Sequence, residues 1–276
     1  MTHSDLSSAL FAAHEAVDLA VEYLLKRTPL HISAKGDRDI VTNADVDIEC
    51  IVRDLLLAKD PHVGFLGEEH GAIGDQTTHW VLDPVDGTIN FAHGNPLFAI
   101  ALALVCEDQP ILGVTALPAL GTRYWAADGH GAFRDGKPIT VSSAHNLDEA
   151  LVGFCDYGSG PDAGTRDRLC AEVDGKVTAQ ARGLRRFGST ALDLVWVADG
   201  TLDACILFGD RPWDTASGAI IAREAGARVV DADGKPHNTR SRCLVAAAPG
   251  LADSLLPLMS VAKATPYWPQ PGATPC

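Results

Sequence analysis

The segment from Trp80 to Phe91, which reads WVLDPVDGTINF, carries the strongest chemical signal in the chain. Two carboxylates, Asp83 and Asp86, leave the end of a short apolar run and are followed at once by a Gly-Thr pair. Proline fixes the backbone between the carboxylates, and glycine lets the chain turn and approach a ligand closely. A helix that opens at Thr88 would present free amides to an anion. Carboxylates beside anion-binding amides require a cation between them, and hard oxygen ligands favour Mg²⁺.

Asp-Pro-x-Asp-Gly consists of turn-forming residues, so on this segment alone a plain turn remains an open alternative. A calcium-binding loop is excluded, because Val85, which has no side-chain oxygen, occupies the third ligand position counted from Asp83. The similar run from Asp231 to Gly234 has no further ligands at the required spacing, and we interpret it as a hairpin turn.

Hydrophobic periodicity predicts the elements that position these residues. Apolar residues at helical spacing predict a helix over 4–27, and Thr42 with Asp45 resembles a capping box that starts a second helix. Short apolar runs separated by turns over 97–141 predict adjacent antiparallel strands. Strands and helices alternate in the second half, with predicted helices over 161–175, 189–199, 213–225 and 250–263. The expected fold class is α/β, with a β-rich first half and an alternating α/β second half.

Composition is that of a globular protein, and it excludes several classes of function. The chain has 276 residues, of which 46% are hydrophobic and 21% charged, enough to bury a core without disulfides or structural metal. The formal net charge of −14 argues against nucleic acid or an anionic membrane as the main partner. The N-terminus does not resemble a secretion signal, and no apolar run reaches the roughly 18 residues of a membrane span.

Seven cysteines, an odd number without C-x-x-C spacing, indicate reduced thiols and a cytoplasmic protein. Neither a long linker nor an internal repeat is evident. We therefore predict one domain over 1–263, followed by a proline-rich tail over 264–276.

Five blocks in colinear order resemble the signatures of the inositol monophosphatase family. They are Lys35-Gly36 with Asp39–Asp45, Gly67-Glu68-Glu69, Trp80–Phe91, Arg186–Asp193, and Trp213-Asp214 followed by Ala225-Gly226. The resemblance covers residues 35 to about 250 and argues against a plain turn as the only role of Asp83 and Asp86. It implies a five-layered αβαβα sandwich, a homodimer, and Mg²⁺-dependent hydrolysis of a small phosphorylated metabolite.

The resemblance also implies two sets of metal ligands. The first comprises Glu68, Asp83 and the main-chain oxygen of Val85, and the second comprises Asp83, Asp86 and Asp214. With Asp45, these side chains carry five negative charges, and a phosphate monoester adds about two more. Two or three Mg²⁺ ions would nearly neutralise the site, whereas without metal the substrate would be repelled.

Family chemistry further implies catalytic roles for Thr88, Asp45 and Glu68, with the Thr88 hydroxyl, paired with Asp45, orienting the attacking water. The implied substrate contacts are Asp86, Gly87, Thr88, Gly188, Ser189, Thr190 and the position of Leu207.

Several of these residues have a structural alternative. Asp45 could serve only as a helix cap, whereas Asp214 is expected to be both a cap and a ligand. Lys35 is either a surface lysine or lies near the site, and Glu69 is expected to support the site without binding metal.

Leu207 bears on the choice of substrate. Inositol phosphatases of the family usually carry a glutamate there that contacts substrate hydroxyls, and leucine removes that contact. Asp210, Arg211 or Thr190 could compensate. Inositol phosphate remains the expected substrate, with histidinol phosphate or a sugar bisphosphate such as fructose 1,6-bisphosphate as alternatives. A non-catalytic regulatory protein of the same fold is a further alternative, disfavoured because the metal carboxylates and Thr88 are intact.

We predict that hydrolysis of phosphate monoesters depends absolutely on Mg²⁺, because the carboxylate motif contains no cationic residue. Phosphate release should cease in excess chelator and return when Mg²⁺ is restored. Full activity in chelator would contradict the assignment. The resemblance also implies inhibition by lithium.

Overall fold

The computed structural model describes residues 3–26, 30–36, 38–155, 163–209 and 211–260, and every structural statement below concerns these ranges. The predicted domain boundary after residue 263, the proline-rich tail and Asp210 lie outside them.

Apart from four short strands in the first half, helices and strands follow one another in the order expected from the sequence. The helices are α1 (His3–Leu25), α2 (Asn43–Lys59), α3 (Thr88–Ala92), α4 (Ala163–Thr178), α5 (Thr190–Ala198), α6 (Pro212–Glu224) and α7 (Ala252–Leu255), the last continued by a 3₁₀ turn over Leu256–Met259. The strands of the first half are β1 (Ile32–Gly36), β2 (Asp39–Thr42), β3 (Gly64–Gly67), β4 (Gly71–Ile73), β5 (Thr78–Asp86), β6 (Ala99–Cys106), β7 (Gln109–Leu117), β8 (Thr122–Ala127), β9 (Ala132–Arg134) and β10 (Lys137–Ile139). Those of the second half are β11 (Leu151–Phe154), β12 (Gly183–Arg185), β13 (Ala204–Phe208), β14 (Arg228–Val230) and β15 (Cys243–Ala247).

Two large sheets organise these elements. The first has eight strands in the order β10-β9-β8-β7-β6-β5-β3-β4, and its strands pair antiparallel except for β3 and β5. This confirms the antiparallel strands predicted over 97–141. The second sheet has the order β12-β11-β13-β15-β14, in which β11 runs parallel to both β12 and β13. A separate hairpin pairs β1 with β2.

The elements stack in five layers, which confirms the αβαβα arrangement. Helices α1 and α2 cover the outer face of the first sheet and share one apolar cluster with it. Helices α5 and α6 lie between the two sheets, and α4 and α7 lie against the second sheet. None of the helices in the described ranges has an apolar stretch long enough to cross a membrane.

Local sequence explains where the elements begin and end. Thr42 caps α2, and its capping box with Asp45 is formed as predicted. Asp231 Oδ1 accepts hydrogen bonds from the amides of Asp233 and Lys235, which confirms the predicted turn. The hairpin β1–β2 and the short strands β3 and β4 were not predicted, because their few apolar residues show no clear alternation.

Small residues let α6 lie close to the first sheet, and this closeness positions the start of α6. A side chain at Gly113 on β7 would place Cβ 2.6 Å from the Ser217 main-chain oxygen and 2.7 Å from Ile220 Cγ2. The buried hydroxyls of Ser217 and Thr115 lie 2.7 Å apart across the same contact. Because Asp214 lies at the N-terminal end of α6, this contact fixes its distance from β5.

We predict that Gly113→Ala destabilises the protein by about 1–3 kcal/mol, because the added methyl group overpacks the contact between β7 and α6. Gly175→Ala is the matched control: Gly175 lies exposed on α4 with nothing within 4 Å of its would-be Cβ. That change should stabilise the fold by about 0.4–1 kcal/mol. Urea unfolding measures both, and equal effects would contradict the packing argument.

Candidate active site

A bulge near the end of β5 brings Asp83 and Asp86 to the same face of the sheet. In a regular strand, residues three apart point to opposite faces. Here Asp83 pairs with Ala101 and Asp86 with Ala99, so β5 uses one residue more than β6. The extra residue falls at Pro84-Val85, where proline has no amide to offer the neighbouring strand. Both aspartates therefore face α5 and α6, while Val85 packs in the cluster on the opposite face.

Glu68 reaches the aspartates because β3 and β5 are parallel neighbours. Gly67 pairs with Leu82, so the chain leaves both strands at the same edge of the sheet. The side chain of Glu68 accepts a hydrogen bond from Lys35 Nζ at 3.0 Å, and Lys35 also contacts Glu69. Lys35 thus lies at the site, and Glu69 supports it through the lysine.

Glu49 holds the turn that carries Glu68. This fully buried α2 carboxylate accepts hydrogen bonds from the amides of Glu69 and His70, each at 2.8 Å. A Cβ at Gly67 would lie within 2.5 Å of the Glu49 carboxylate oxygens, so glycine is required there for steric reasons. Sequence reasoning missed Glu49, although its position four residues after Asp45 puts both on one face of α2.

Asp86 is held at the N-terminus of α5. Its carboxylate accepts hydrogen bonds from the Ser189 hydroxyl and from the amides of Thr190 (3.2 Å) and Ala191 (2.8 Å). Unsatisfied amides and the helix dipole favour a negative charge at this position. The first amides of α5 therefore bind the protein's own carboxylate.

Asp45 has two functions, one for each carboxylate oxygen. Oδ2 accepts hydrogen bonds from the Thr42 amide at 2.9 Å and from the Thr42 hydroxyl at 2.5 Å, and these bonds complete the cap of α2. Oδ1 lies 3.4 Å from the hydroxyl of Thr88, which is also 3.0 Å from the main-chain oxygen of Val85. Asp45 is thus more than a helix cap.

Asp214 lies in the first turn of α6, and its side chain accepts a hydrogen bond from the Arg211 amide at 2.9 Å. The cap predicted for this aspartate is formed, and its side chain also lines the cavity described below.

Close backbone contacts join the first half of the chain to the start of α5. Gly87 has φ +87°, and a Cβ there would lie 2.9 Å from the Gly188 main-chain oxygen. Asn90 Nδ2 donates to the main-chain oxygens of Leu97 and Phe187, each at 2.6 Å. Asn90 therefore fixes α3 against the segment that leads into α5.

The carboxylates meet at a cavity of about 580 Å³ between the two halves. Of the predicted site residues, Glu68, Asp86, Gly188, Ser189, Thr190 and Asp214 line it. The remaining lining residues are Lys35, Asp39, Phe154, Cys155, Arg166, Asp193, Phe208, Gly209, Arg211 and Trp213. Asp83 is 2% exposed and lies buried beside the cavity. Two other concavities, against α1, contain one carboxylate each and no such cluster.

Burial and mutual repulsion make these carboxyls hard to ionise. Burial raises the pKa of Asp83 well above its usual range, and repulsion from Glu68, Asp86, Asp214 and Asp45 adds to the increase.

Burial also raises the pKa values of Glu68 and Asp86, and nearby donors lower them in part. Burial raises the pKa of Glu68 to about 7, although the charge of Lys35 lowers it in part. Burial raises the pKa of Asp86 to about 6, against the hydrogen bonds from Ser189 and the α5 amides.

The donor set fits hard divalent cations. Oxygen ligands dominate, and the repulsion felt by Asp83 is what bound cations would relieve. In the described part of the chain no three acidic, histidine or cysteine side chains are drawn together tightly enough to hold an ion as they stand. Asp86, Glu68 and Asp214 are instead turned toward α5, Lys35 and the Arg211 amide. Ion binding would therefore require these side chains to rotate.

The expectation that Leu207 contacts substrate does not agree with the structure. Leu207 is fully buried in the core of the second half, opposite Leu244 on β15. The next residues, Phe208 and Gly209, line the cavity instead. Alternation along β13 explains the difference, because neighbouring side chains point to opposite faces.

Thr88, Gly87 and Val85 lie next to the cavity without lining it. Sequence reasoning missed Asp39, Arg166, Asp193 and Phe208 as lining residues. Asp39 and Asp193 lie within the motifs quoted above, so their position in a motif could have indicated a place at the site. No sequence pattern marks Arg166 or Phe208 as a lining residue.

Comparison with known proteins agrees with this geometry. The model of the inositol monophosphatase family matches residues 5–262. An inositol-1-monophosphatase of Mycobacterium bovis is 40% identical over 225 residues, covering 79% of this chain and 77% of its own. Inositol monophosphatase 1 of Solanum lycopersicum is 34% identical over 274 residues, covering 95% and 98%.

Solved structures give the same result. The extragenic suppressor protein suhB of Bartonella henselae superposes with a TM-score of 0.82 at 31% identity, covering 93% of this chain and 98% of its own. Motifs, layered fold, carboxylate cavity and comparisons all agree, and the chain belongs to the inositol monophosphatase family.

Proposed function

We propose that this protein hydrolyses a small phosphate monoester, inositol phosphate in the first place, with Mg²⁺ as cofactor. The observation that carries the proposal is the convergence of Glu68, Asp86 and Asp214 on one cavity beside the buried Asp83. The names of the relatives support the choice of substrate.

Glu68, Asp83, Asp86, Asp214 and the main-chain oxygen of Val85 would hold two or three Mg²⁺ ions. When bound, the ions would make water more acidic, hold the phosphate oxygens and stabilise the departing alkoxide. The protein supplies the main-chain frame for this chemistry, because the bulge in β5 and the parallel pairing of β3 and β5 bring the residues that carry the carboxylates together before substrate arrives.

Thr88 and Asp45 would orient the attacking water and accept its proton. The Thr88 hydroxyl has one proton and two acceptors within reach, Asp45 Oδ1 and the Val85 main-chain oxygen. When the hydroxyl donates to Asp45, its lone pairs are free to accept a hydrogen bond from water. Burial raises the pKa of Asp45, which makes its carboxylate a better proton acceptor.

Hydroxyls of the substrate would meet the polar part of the cavity wall. Thr190 and Arg211 line it, and these are the groups we propose in place of the Leu207 contact. Gly87 and the Thr88 amide, at the start of α3, are proposed as phosphate contacts.

The direct test measures phosphate release with Mg²⁺ from inositol phosphate, histidinol phosphate and a sugar bisphosphate. The proposal expects the highest kcat/KM with inositol phosphate and no activity in Asp83→Asn, while Asp148→Asn, on the surface, serves as a matched control. Activity toward none of the three would favour a regulatory protein, and strong preference for histidinol phosphate would replace the proposed substrate.

We also propose a homodimer in the cytoplasm. The dimer follows from family resemblance, and reduced surroundings agree with the six cysteines of the described residues, none of which is in a disulfide.

We predict that Thr88→Val lowers kcat by a factor of about 10²–10⁴, the usual range for losing an acid–base group. Valine keeps the volume of threonine but cannot pass a proton to Asp45. Thr88→Ser keeps the hydroxyl and should retain most of the activity. If Thr88→Val and the parent protein have equal kcat, Thr88 has no part in moving the proton.

We predict that Mg²⁺ raises the melting temperature more above pH 7 than below pH 6. The folded-state pKa values of Glu68 and Asp86 are raised to about 7 and about 6, so the folded protein binds protons more tightly than the unfolded chain. These two groups therefore lower stability as pH rises from about 4, the usual carboxyl pKa, through those values. Mg²⁺ binds the ionised groups and competes with protons.

At about a hundredfold excess over its dissociation constant, a ligand stabilises the fold by about 2.7 kcal/mol. This gain should shrink below pH 6 and should shrink at all pH values in Asp86→Asn, with Asp148→Asn unchanged. A gain that does not vary with pH would show that these carboxyls do not bind the ion. Thermal unfolding makes the measurement without reference to activity.

A further inference from the structure

Two thiols that the proposed function does not use meet beside the cavity. The Sγ atoms of Cys155 and Cys170 lie 3.6 Å apart. Cys155 follows β11 and lines the cavity, whereas Cys170 is fully buried on α4. We propose that the two cysteines are an oxidation site that forms a reversible disulfide in response to peroxide, and that the disulfide lowers turnover.

Electrostatics around the pair favours a reactive sulfur. The hydrogen bond with Cys155 lowers the pKa of the Cys170 thiol, and the positive charges of Arg186 and Arg166 lower it further, against the effect of burial. Either sulfur can be the donor in this contact, so the one proton that the pair retains can lie on Cys170 and leave Cys155, the sulfur at the cavity, as the thiolate. Thiolates, and not thiols, attack peroxides and disulfides.

The reaction balances with hydrogen peroxide as the only oxidant. Peroxide reaches Cys155 through the cavity, and the Cys155 thiolate attacks one oxygen, which gives a sulfenic acid and hydroxide that becomes water. Cys170 then attacks the sulfenic sulfur, the S–S bond forms, and a second water leaves. Two thiols lose two electrons in total, and a dithiol reductant reverses the change.

Formation of the bond displaces a residue of the cavity wall, because Cys155 lines the cavity. A disulfide requires an S–S separation of about 2 Å, so the sulfurs must approach from 3.6 Å. The amide of Cys155 donates to the Ile206 main-chain oxygen at 3.0 Å, and its main-chain oxygen accepts from the Arg186 guanidinium. Arg186 lies two residues before Gly188, at the start of the segment that holds Asp86. A displacement at Cys155 therefore acts on Phe154 and on the α5 N-terminus, both at the cavity.

The experiment treats the reduced protein with a small excess of hydrogen peroxide, blocks free thiols under denaturing conditions, and maps peptides by mass spectrometry without reduction. The parent protein should give a linked pair of peptides containing Cys155 and Cys170. Cys170→Ser should give no link, and dimedone should instead label Cys155 as the sulfenic acid. Cys106→Ser, which removes a half-buried thiol on the first sheet, is the matched control and should form the link normally.

The second readout is kcat/KM before oxidation, after oxidation and after dithiothreitol. Oxidation should lower it by a factor of about ten to a hundred, because a displacement of about 1 Å at a site can cost about a hundredfold, and the reductant should restore it. The proposal is overturned if peptide mapping finds no link, or if the link forms and kcat/KM does not change. Peptide mapping does not depend on catalysis. An inactive protein would therefore count against the proposed function, and the presence or absence of the linked peptides would still decide whether the disulfide forms.

Discussion

Repulsion among buried carboxylates is the constraint on which the rest of the site depends. Asp83 is 2% exposed, and the charged groups that most affect it are Glu68, Asp86, Asp214 and Asp45. Such a cluster is unfavourable unless protons or cations neutralise it, because burial removes the water that would otherwise screen the charges. The same arrangement is what a phosphate-binding metal site requires, since the ions must carry enough charge to offset both the protein and the substrate. The carboxylate repulsion that lowers the stability of the ion-free protein is therefore the same feature that lets the protein bind the ions needed for catalysis.

Asp83 Oδ1 accepts a hydrogen bond from the Val85 amide of its own strand at 3.0 Å, and the fold gives each of the other four carboxylates a separate local donor. Thr42 binds Asp45, the α5 amides bind Asp86, Lys35 binds Glu68, and the Arg211 amide binds Asp214. Each donor belongs to a helix start or a hairpin that is fixed by packing elsewhere, as α6 is fixed against β7 by Gly113. The cavity therefore lies where the two sheets and the helices between them meet, and both halves of the chain are needed to build it.

Much of this arrangement was open to prediction from the sequence, and the failures have physical causes. The capping box at Thr42, the helix at Thr88 and the antiparallel strands over 97–141 depend on local patterns, and all three are present. The bulge in β5, which puts Asp83 and Asp86 on one face, depends on pairing with β6 and is invisible in spacing alone. Position within the family motif carries no information on the alternation of β13, which buries Leu207. The role of Glu49 is equally hidden, because its partners are main-chain amides of a turn distant in sequence.

Whether the carboxylate cluster binds divalent cations is measured most directly by a crystal structure of the protein with Mn²⁺, a divalent cation that binds the same oxygen ligands and can be located by its anomalous scattering. We expect anomalous peaks between Glu68, Asp83, Asp86 and Asp214, with the Lys35 ammonium group displaced from Glu68. Peaks elsewhere on the surface, with the carboxylates still held by Lys35 and the α5 amides, would contradict this expectation.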